Sequence, residues 1–441
     1  MTDPRNFVFA HLADAHVGAW PRDPEVRRAL RESVLRAFDA VRAARAEFLL
    51  ISGDLFHTPV PEPAEVAPIA AGLRALIADG RRVYVIYGSH DYVAHRTSWL
   101  DVLAETGIFL RAAPEAVRIE GDRWTLPFLI DAPTGAAIAG ISGRAHGLDR
   151  SYFAAVDAEA FRAHPGFKVF QFHAAIDEYL PPGLREHIHG VSRADLPGGC
   201  DYYAGGHIHY TYTGEGPEGG LLVNPGAVFG TNLTDLENGA SGRTHQGVVI
   251  VTVTDGRPSA AFVDTAPRQA LRVFDVDVAG RSAEEAKAIV AEALKTRSTP
   301  GGLLFPRIKG TLSDGSLGTL GLHRTETSAQ RLGVDAVHFD LREAQGARVV
   351  DVPEPGSESD LEADAIARLL ATAEPALPEL AGAPGAVRVR DLLRELGTPP
   401  GEGEARRDYV HARVEGGLAV LGLRGRRQPT ESGEEAGSPR N

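Results

Sequence analysis

Five apolar runs in this chain stop on a carboxylate, a hydroxyl or an imidazole, and that recurrence constrains the fold more than any other feature. Residues 7–12 run into Asp14 and His16, 48–51 into Asp54, and 82–87 into Ser89 and His90. Residues 167–172 end at His173, and 201–204 lead to His207 and His209. One Asp after one strand is ordinarily a helix cap or a turn residue. Polar strand ends this far apart in sequence need a scaffold that gathers them, and a parallel sheet does so. In open α/β sheets, ligands bind beyond the carboxyl ends of the strands.

The segments between the runs supply the crossovers. Asp23 and Pro24 form a helix start, and Val26, Leu30, Val34, Phe38 and Val41 follow at helical spacing. After a proline-rich loop, Val66, Ile69, Leu73, Leu76 and Ile77 mark a second helix, which Gly80 ends. With the strands, this is βαβαβ order, a parallel sheet with helices on its faces. Trp99, Leu100 and Leu103 mark a further helix; shorter strands are expected at 136–141 and 221–223, and 247–253 reads as the last strand of the domain. From Arg268 the pattern restarts with a strand at 271–278, a helix at 283–294 capped by Ser282, and strand-like runs at 303–308 and 347–352. Residues 353–360 are a linker by composition. Short helices are expected near 361–370 and 387–396, followed by a disordered tail. The expected domains are therefore 1–266, 267–355 and 356–441.

A chain of 441 residues with 43% hydrophobic content can bury a large core and is long for one domain. Its single cysteine, Cys200, excludes an internal disulfide and a thiolate zinc site, and fits a reducing compartment. There is no basic-then-apolar leader and no run near the ~20 apolar residues that span a bilayer. The expectation is a soluble, cytoplasmic protein with no membrane contact. A net charge of −13 argues against binding nucleic acid over the whole surface. It leaves room for a local patch. Basic residues slightly outnumber acidic ones between 267 and 350, where Arg268, Arg272, Arg307 and Lys309 lie, although a solvated surface is the ordinary reading of such a scatter.

Alternation along an extended segment sends residues i and i+2 to one side. Asp14 with His16, and His207 with His209, can each present two ligands together. Carboxylate oxygen and imidazole nitrogen suit manganese, iron or zinc. So many ligands suggest two ions, with a carboxylate such as Asp54 between them. His187 and His189 repeat the spacing, but they follow Pro181-Pro182-Gly183 with no strand before them and read as surface or supporting residues. His57, His95, His146 and His245 read as packing or supporting residues, and Cys200 as a buried thiol.

The stretches HLADAH, SGDLFH, YGSHD, a strand-ending FH and GGHIH, in that order, resemble the calcineurin-like metallophosphoesterase superfamily. Within it, GDLFH and NPGAVFGTNLTDLENG are most similar to the SbcD-type double-strand-break repair nucleases. The resemblance covers residues 5–255 by motif and extends more weakly through the following α/β region, which those nucleases use as a DNA-facing cap. It implies an α/β fold of layered β-sheets flanked by helices, with a small α/β capping domain and a helical C-terminal tail.

The resemblance also implies a site. One ion would take Asp14, His16, Asp54 and His209, and the second Asp54, Ser89, His173 and His207, the metal being manganese, or iron or zinc. The implied activity is metal-dependent exonucleolytic or endonucleolytic hydrolysis of phosphodiesters at DNA ends, in DNA repair, by a two-metal mechanism. His90 would protonate or stabilise the leaving oxygen, and Asp91 would orient His90 or make a turn contact. Arg268, Arg272, Arg307 and Lys309 would face the DNA. An SbcC-type coiled-coil ATPase would dock after residue 360, and the working unit could be a homodimer. One residue departs from the family: Ser89 stands where Asn is usual. Its hydroxyl is shorter by about one bond than an amide, which implies one tight and one weaker metal site. The alternative is a metallophosphoesterase for a small phosphoester or nucleotide. The acidic net charge favours that alternative, and the region after residue 266 favours the nuclease. A non-enzymatic scaffold ranks last, because the other site residues are intact.

Overall fold

The computed structural model describes residues 6–92, 97–113, 118–120, 123–143, 149–186, 188, 190–267, 270–347, 366, 380, 382–399 and 406–423. The chain divides into two compact units, residues 1–347 and 348–441. The architecture is mixed α/β with layered sheets flanked by helices.

The first sheet has the strand order Arg257–Asp264, Gly247–Thr254, Phe7–Leu12, Phe48–Ser52, Arg82–Ile86 and Leu110–Arg111. The last four are mutually parallel, and the first two pair antiparallel. The crossovers are the helices Pro24–Ala43 and Pro63–Ala78, each opening on a proline whose missing N–H costs nothing in the first turn. Val26, Leu30, Val34, Phe38 and Val41 are all buried, as their spacing requires. Strand alternation then splits the sheet. Leu12, Leu49, Ile51, Val83 and Val85 meet the helices. Phe7, Phe9, Phe48, Leu50, Tyr84 and Ile86 meet the second sheet.

That second sheet runs Tyr212–Glu215, Leu221–Asn224, Tyr202–Ala204, Lys168–Phe172, Ala137–Ile141 and Leu129–Ile130. Its four central strands are parallel. Between the sheets Phe9 stacks on Phe48 at 4.9 Å and meets Tyr202 edge-on at 5.0 Å. Such pairs add about 0.5–1.5 kcal/mol beyond area burial. The consequence for function is directional: the parallel strands of both sheets end along one edge.

Gly247–Thr254 is not the last strand of this region. The chain turns at Asp255 and Gly256, both with positive φ (50° and 79°), and returns as Arg257–Asp264. This strand lies at the sheet edge, where Pro258 removes no needed donor. The third sheet centres on Leu303–Thr311, with Leu271–Asp277, Ala336–Val337 and Asp340–Gln345 all parallel to it. Asp340–Gln345 is a strand that the sequence reading did not expect, and the run expected at 347–352 lies outside the described residues except for Ala347. Ser282 and Glu285 cap the helix Ala283–Arg297 reciprocally. A second helix, Leu322–Gln330, has almost no apolar signal and buries only Thr325 and Ala329. Leu271, Leu303, Phe305 and Ala336 join the same apolar cluster as Leu12 and Leu30. Trp20 packs there against Phe305 at 5.6 Å and His338 at 5.1 Å.

The second unit contains the paired helices Gly382–Leu396 and Arg406–Val420, with Arg413 bonded to Glu395 at 3.0 Å. The first corresponds to the expected helix at 387–396; the second falls where a disordered tail was expected. The expected linker at 353–360, and the expected helix at 361–370 apart from Ile366, lie outside the described residues. Among the described residues no helix is long and apolar enough to cross a membrane.

Candidate metal centre

At the shared strand-end edge the backbone turns sharply. Asp14, His16, Asp54 and His207 all adopt positive φ, at 51°, 46°, 52° and 93°. Non-glycine residues held this way cost of order 1 kcal/mol or more each, and such strain gathers at functional sites. The first two loops are zipped together by Asp14 N–H to Gly53 O (3.1 Å) and His16 N–H to Asp54 O (2.9 Å). Two glycines admit the close approach. A Cβ on Gly53 would overlap the His173 imidazole, and one on Gly88 would overlap the Asp54 carboxylate.

Three groups of donors result, each with its ligand atoms within 4.8 Å of one another: Asp14, His16 and His209; Asp14, Asp54 and His173; His16, His57 and His90. His16 Nε2 lies 3.1 Å from His209 Nε2, 3.6 Å from Asp54 Oδ2 and 3.9 Å from Asp14 Oδ1. His173 Nε2 lies 3.2 Å from Asp54 Oδ2. Asp14, His16, Asp54 and His173 are buried.

The ring protons are accounted for on the far sides. His209 Nδ1 donates to Asp235 Oδ2 at 2.7 Å, and His173 Nδ1 to the Ser52 carbonyl at 2.8 Å. In the neutral rings both Nε2 atoms therefore present their lone pairs inward, and without a cation a proton on His173 Nε2 serves Asp54 at 3.2 Å instead. His16 Nδ1 and His173 Nε2 are buried without a hydrogen-bond partner. Lone pairs and carboxylate oxygens packed face to face repel unless a positive charge sits between them. These residues fit a divalent cation, and the mixture of nitrogen and oxygen donors suits manganese, iron or zinc.

The electrostatics describe the same demand. Burial raises Asp14 to about 6. Burial also works to raise Asp54, but His173 and His16 beside it hold it well below the usual carboxylate range. Burial opposes charge on His173, yet Asp54 outweighs it and raises the imidazole to about 10. His209 follows the same pattern, burial being overcome by Asp235 to reach about 9. His16 is driven well below the ordinary imidazole value by burial and by His209, and His207 to about 4 by burial and by His173. The two imidazoles that are raised are those in direct contact with a carboxylate, His173 with Asp54 and His209 with Asp235.

The remaining expected residues divide. Ser89 Oγ lies 3.5 Å from Asp54 Oδ2, at the limit of contact. The His207 ring lies 5.1 Å from that of His173, and its backbone N–H donates to Asp14 at 2.9 Å. His207 joins none of the three donor groups. Asp14 and His16 each belong to two of them, and Asp54 Oδ2, the oxygen expected to be shared, lies between His173 and His16. His90 is brought to the site, its N–H on Asp54 Oδ1 at 2.8 Å. Its ring is oriented by the His57 carbonyl, which accepts from Nδ1 at 2.9 Å. Asp91, expected to orient His90 or make a turn contact, does the latter. Its buried carboxylate accepts the N–H groups of Leu55 (3.3 Å), Phe56 (3.1 Å) and Gly88 (3.0 Å), which clamps two loops together. His57 lies closer to the chemistry than expected, stacking on His90 at 5.1 Å.

Of the expected DNA-facing residues, Arg307 pairs with Asp275 (2.8 Å) and Glu237 (3.0 Å), and Lys309 with Asp275 (2.8 Å) and Glu343 (3.6 Å). Arg272 Nη1 donates to the Leu271 carbonyl oxygen at 2.8 Å, while Arg268 lies outside the described residues. His95, His146, His187 and His189 also lie outside them. His245 pairs with Asp264 at 3.2 Å, and Cys200 is buried.

Two supporting groups escaped the sequence reading. Asp235 reads as an ordinary first-turn acid behind the Asn232 cap, and nothing in its spacing ties it to His209. His11 is buried and bridges the sheets, with Nδ1 on Tyr202 OH at 2.9 Å and Nε2 on Ser52 Oγ at 3.0 Å. Burial holds it neutral, down to about 3.

The calcineurin-like phosphoesterase family matches residues 7–211, the segment that carries every donor described above. The chain is similar to the DNA double-strand break repair protein Mre11 of three archaea. It is 26% identical to that of Methanopyrus kandleri over 288 residues, 63% of this chain and 60% of the relative. It is 24% identical to that of Methanococcus maripaludis over 202 residues, 46% of this chain and 51% of the relative. For Archaeoglobus fulgidus the identity is 24% over 319 residues, 69% of this chain and 68% of the relative. The chain thus spans between half and two thirds of the lengths of the first two relatives.

Proposed function

From the premise that residues 7–211 form a calcineurin-like metallophosphoesterase domain, we propose that this protein is a metal-dependent phosphodiester hydrolase acting at DNA ends in DNA repair. The observation that carries the reading is the set of inward-turned donors at one strand-end edge: Asp14, His16, Asp54, His173 and His209. One divalent ion would be held by Asp14, His16, Asp54 and His209, and a second by Asp54, His173, His207 and Ser89. Manganese is the proposed metal. When bound, such ions polarise the phosphate and lower the pKa of water.

The chain's own residues do the rest. With its Nδ1 proton fixed on the His57 carbonyl, His90 keeps Nε2 for carrying a proton to the leaving oxygen. Asp54 holds the His90 backbone through Oδ1, so the carboxylate proposed to lie between the ions also positions the proton donor. Asp91 keeps the Asp54 loop and the Ser89–His90 loop in register.

In this reading residues 1–266 are the hydrolase, 267–355 the cap, and 356–441 the segment that meets a coiled-coil ATPase of the SbcC type, in the cytoplasm. Exposed Val387, Leu393, Leu396, Val410 and Val414 on the C-terminal helices support that partner. Similarity to Mre11 supports DNA as substrate. A second reading, hydrolysis of a small phosphoester, is favoured by the net charge of −13 and by the ion pairs that engage Arg307 and Lys309. The test is parallel incubation, with manganese, of linear duplex DNA, a chromogenic phosphodiester and a phosphomonoester. Cleavage of DNA and the diester is expected. Monoester hydrolysis with intact DNA would overturn the nuclease reading.

A further inference from the structure

We infer that Asp235 is a positioning residue for this centre, its carboxylate holding the Nδ1 proton of His209 so that Nε2 stays turned toward His16 and Asp14. The inference rests on the metal reading above and adds a residue to it.

The three imidazoles of the site, His16 and His173 buried and His209 partly so, are supported in three different ways. His209 Nδ1 leans on a carboxylate at 2.7 Å, His173 Nδ1 on a backbone carbonyl at 2.8 Å, and His16 Nδ1 on no hydrogen-bond partner. A hydrogen bond to an ionised acceptor is roughly twice as strong as one between neutral groups. A carboxylate behind a ligating imidazole also fixes its tautomer and raises its basicity. His209 is therefore the best-oriented imidazole of the three.

The carboxylate is itself immobilised. Asp235 Oδ2 also accepts Thr231 N–H (3.1 Å), Thr231 Oγ1 (3.1 Å) and Asn232 Nδ2 (2.8 Å). Its own N–H donates to the Asn232 side chain at 3.0 Å, and its carbonyl accepts Gln246 Nε2 at 3.1 Å. The helix it opens, Leu233–Ala240, is held from another side by Glu237 on Arg307 at 3.0 Å. The preceding loop is pinned by Trp20 Nε1 on Gly230 O at 2.9 Å. With so many ties, the carboxylate cannot follow the ring if the ring turns. The ring follows the carboxylate.

This geometry separates the two sides of the centre. Loss of the Asp235 charge acts on the group of Asp14, His16 and His209, whereas the Asp14, Asp54 and His173 group keeps its own support from Ser52. The test is manganese titration by calorimetry on the full-length wild type, Asp235→Asn, Asp235→Glu and Arg243→Ala, with imidazole N–H proton spectra of each metal-free protein. Asp235→Asn should weaken one ion about 10–100-fold and leave the other unchanged, with Asp235→Glu recovering part of the loss. Arg243→Ala, which removes contacts to Asn238 and Glu237 on the same helix and leaves Asp235 and its partners in place, should bind both ions as the wild type does. The wild type should show a low-field imidazole N–H signal that Asp235→Asn loses. Wild-type affinity at both sites in Asp235→Asn, or an equal loss in Arg243→Ala, would overturn the inference. A wild type that takes up no manganese would instead overturn the metal reading beneath it.

Discussion

The two edges of the paired sheets carry similar kinds of charged side chain and arrange them in opposite ways. At the edge where the parallel strands begin, Arg82 meets Asp131 through two hydrogen bonds of 2.7 and 2.8 Å, and Tyr84 and Thr134 complete the carboxylate's partners. Positive and negative charge are matched there, and the edge asks for no ligand. At the edge where the strands end, Asp14, Asp54, His16, His173 and His209 crowd together with lone pairs facing inward. The third sheet resembles the first case, with Arg307 and Lys309 set between Asp275, Glu237 and Glu343. Perturbed groups occur at all three places. Of the three, only the strand ends pack two carboxylates against several imidazoles with no Lys or Arg among them, an arrangement that suits a ligand better than a structural ion pair.

Breaking the comparison at its strongest point should have the largest effect. Asp54→Ala removes the carboxylate that touches both His173 and His16. Diester hydrolysis should fall by about 10³-fold or more, the upper range for losing one electrostatic contact to a transition state. Calorimetry should show lost manganese sites in the same variant. His90→Ala should lower kcat by about 10²–10⁴-fold while manganese affinity stays at the wild-type value, because its ring is held by the His57 carbonyl and is not among the residues proposed to hold either ion. Equal manganese affinity with retained turnover would remove His90 from the mechanism.

Metal addition sharpens the contrast in stability. Manganese at 100 times its Kd should stabilise the wild type by about 2.7 kcal/mol per site, read as a rise in Tm. Chelation should reverse it. Asp131 supplies the control at the opposite edge. Burial works to raise its pKa, but Arg82, Thr134 and Tyr84 hold it below the ordinary carboxylate range. A carboxyl depressed on folding stabilises the fold above its unfolded value of about 3.9, and that stability is lost as pH falls toward the folded value. Asp131→Asn should therefore be less stable than the wild type at neutral pH, with the gap closing below about pH 4 in denaturant titrations. The smallest effect is expected for Arg307→Ala, about 1 kcal/mol or less for a surface pair, with an unchanged metal-linked rise in Tm. A loss of DNA binding in that variant would show that the ion pairs of the third sheet open for substrate.

The strand-end cluster was largely legible because its residues follow directly on the strands: Asp14, Asp54, His90, His173 and His209 each come within a few residues of an apolar run whose burial is forced. Helical spacing likewise exposed the helices Pro24–Ala43 and Pro63–Ala78. What stayed hidden depends on contacts between distant loops. His57 reaches His90 through a loop return, and Asp235 reaches His209 across a turn that looks like an ordinary helix cap. Arg257–Asp264 was obscured by its edge position and Pro258, and Leu322–Gln330 by having only Leu322 and Ala329 as apolar residues. Local pattern reports burial, and neither of these elements buries much.

The most direct test of the centre is anomalous diffraction from crystals of the full chain soaked in manganese. Two anomalous peaks are expected beside Asp54, the stronger bounded by Asp14, His16 and His209 and the weaker lying toward His173, His207 and Ser89. No peak within ligand distance of Asp54, or ions bound only at the ion pairs of the third sheet, would contradict the account.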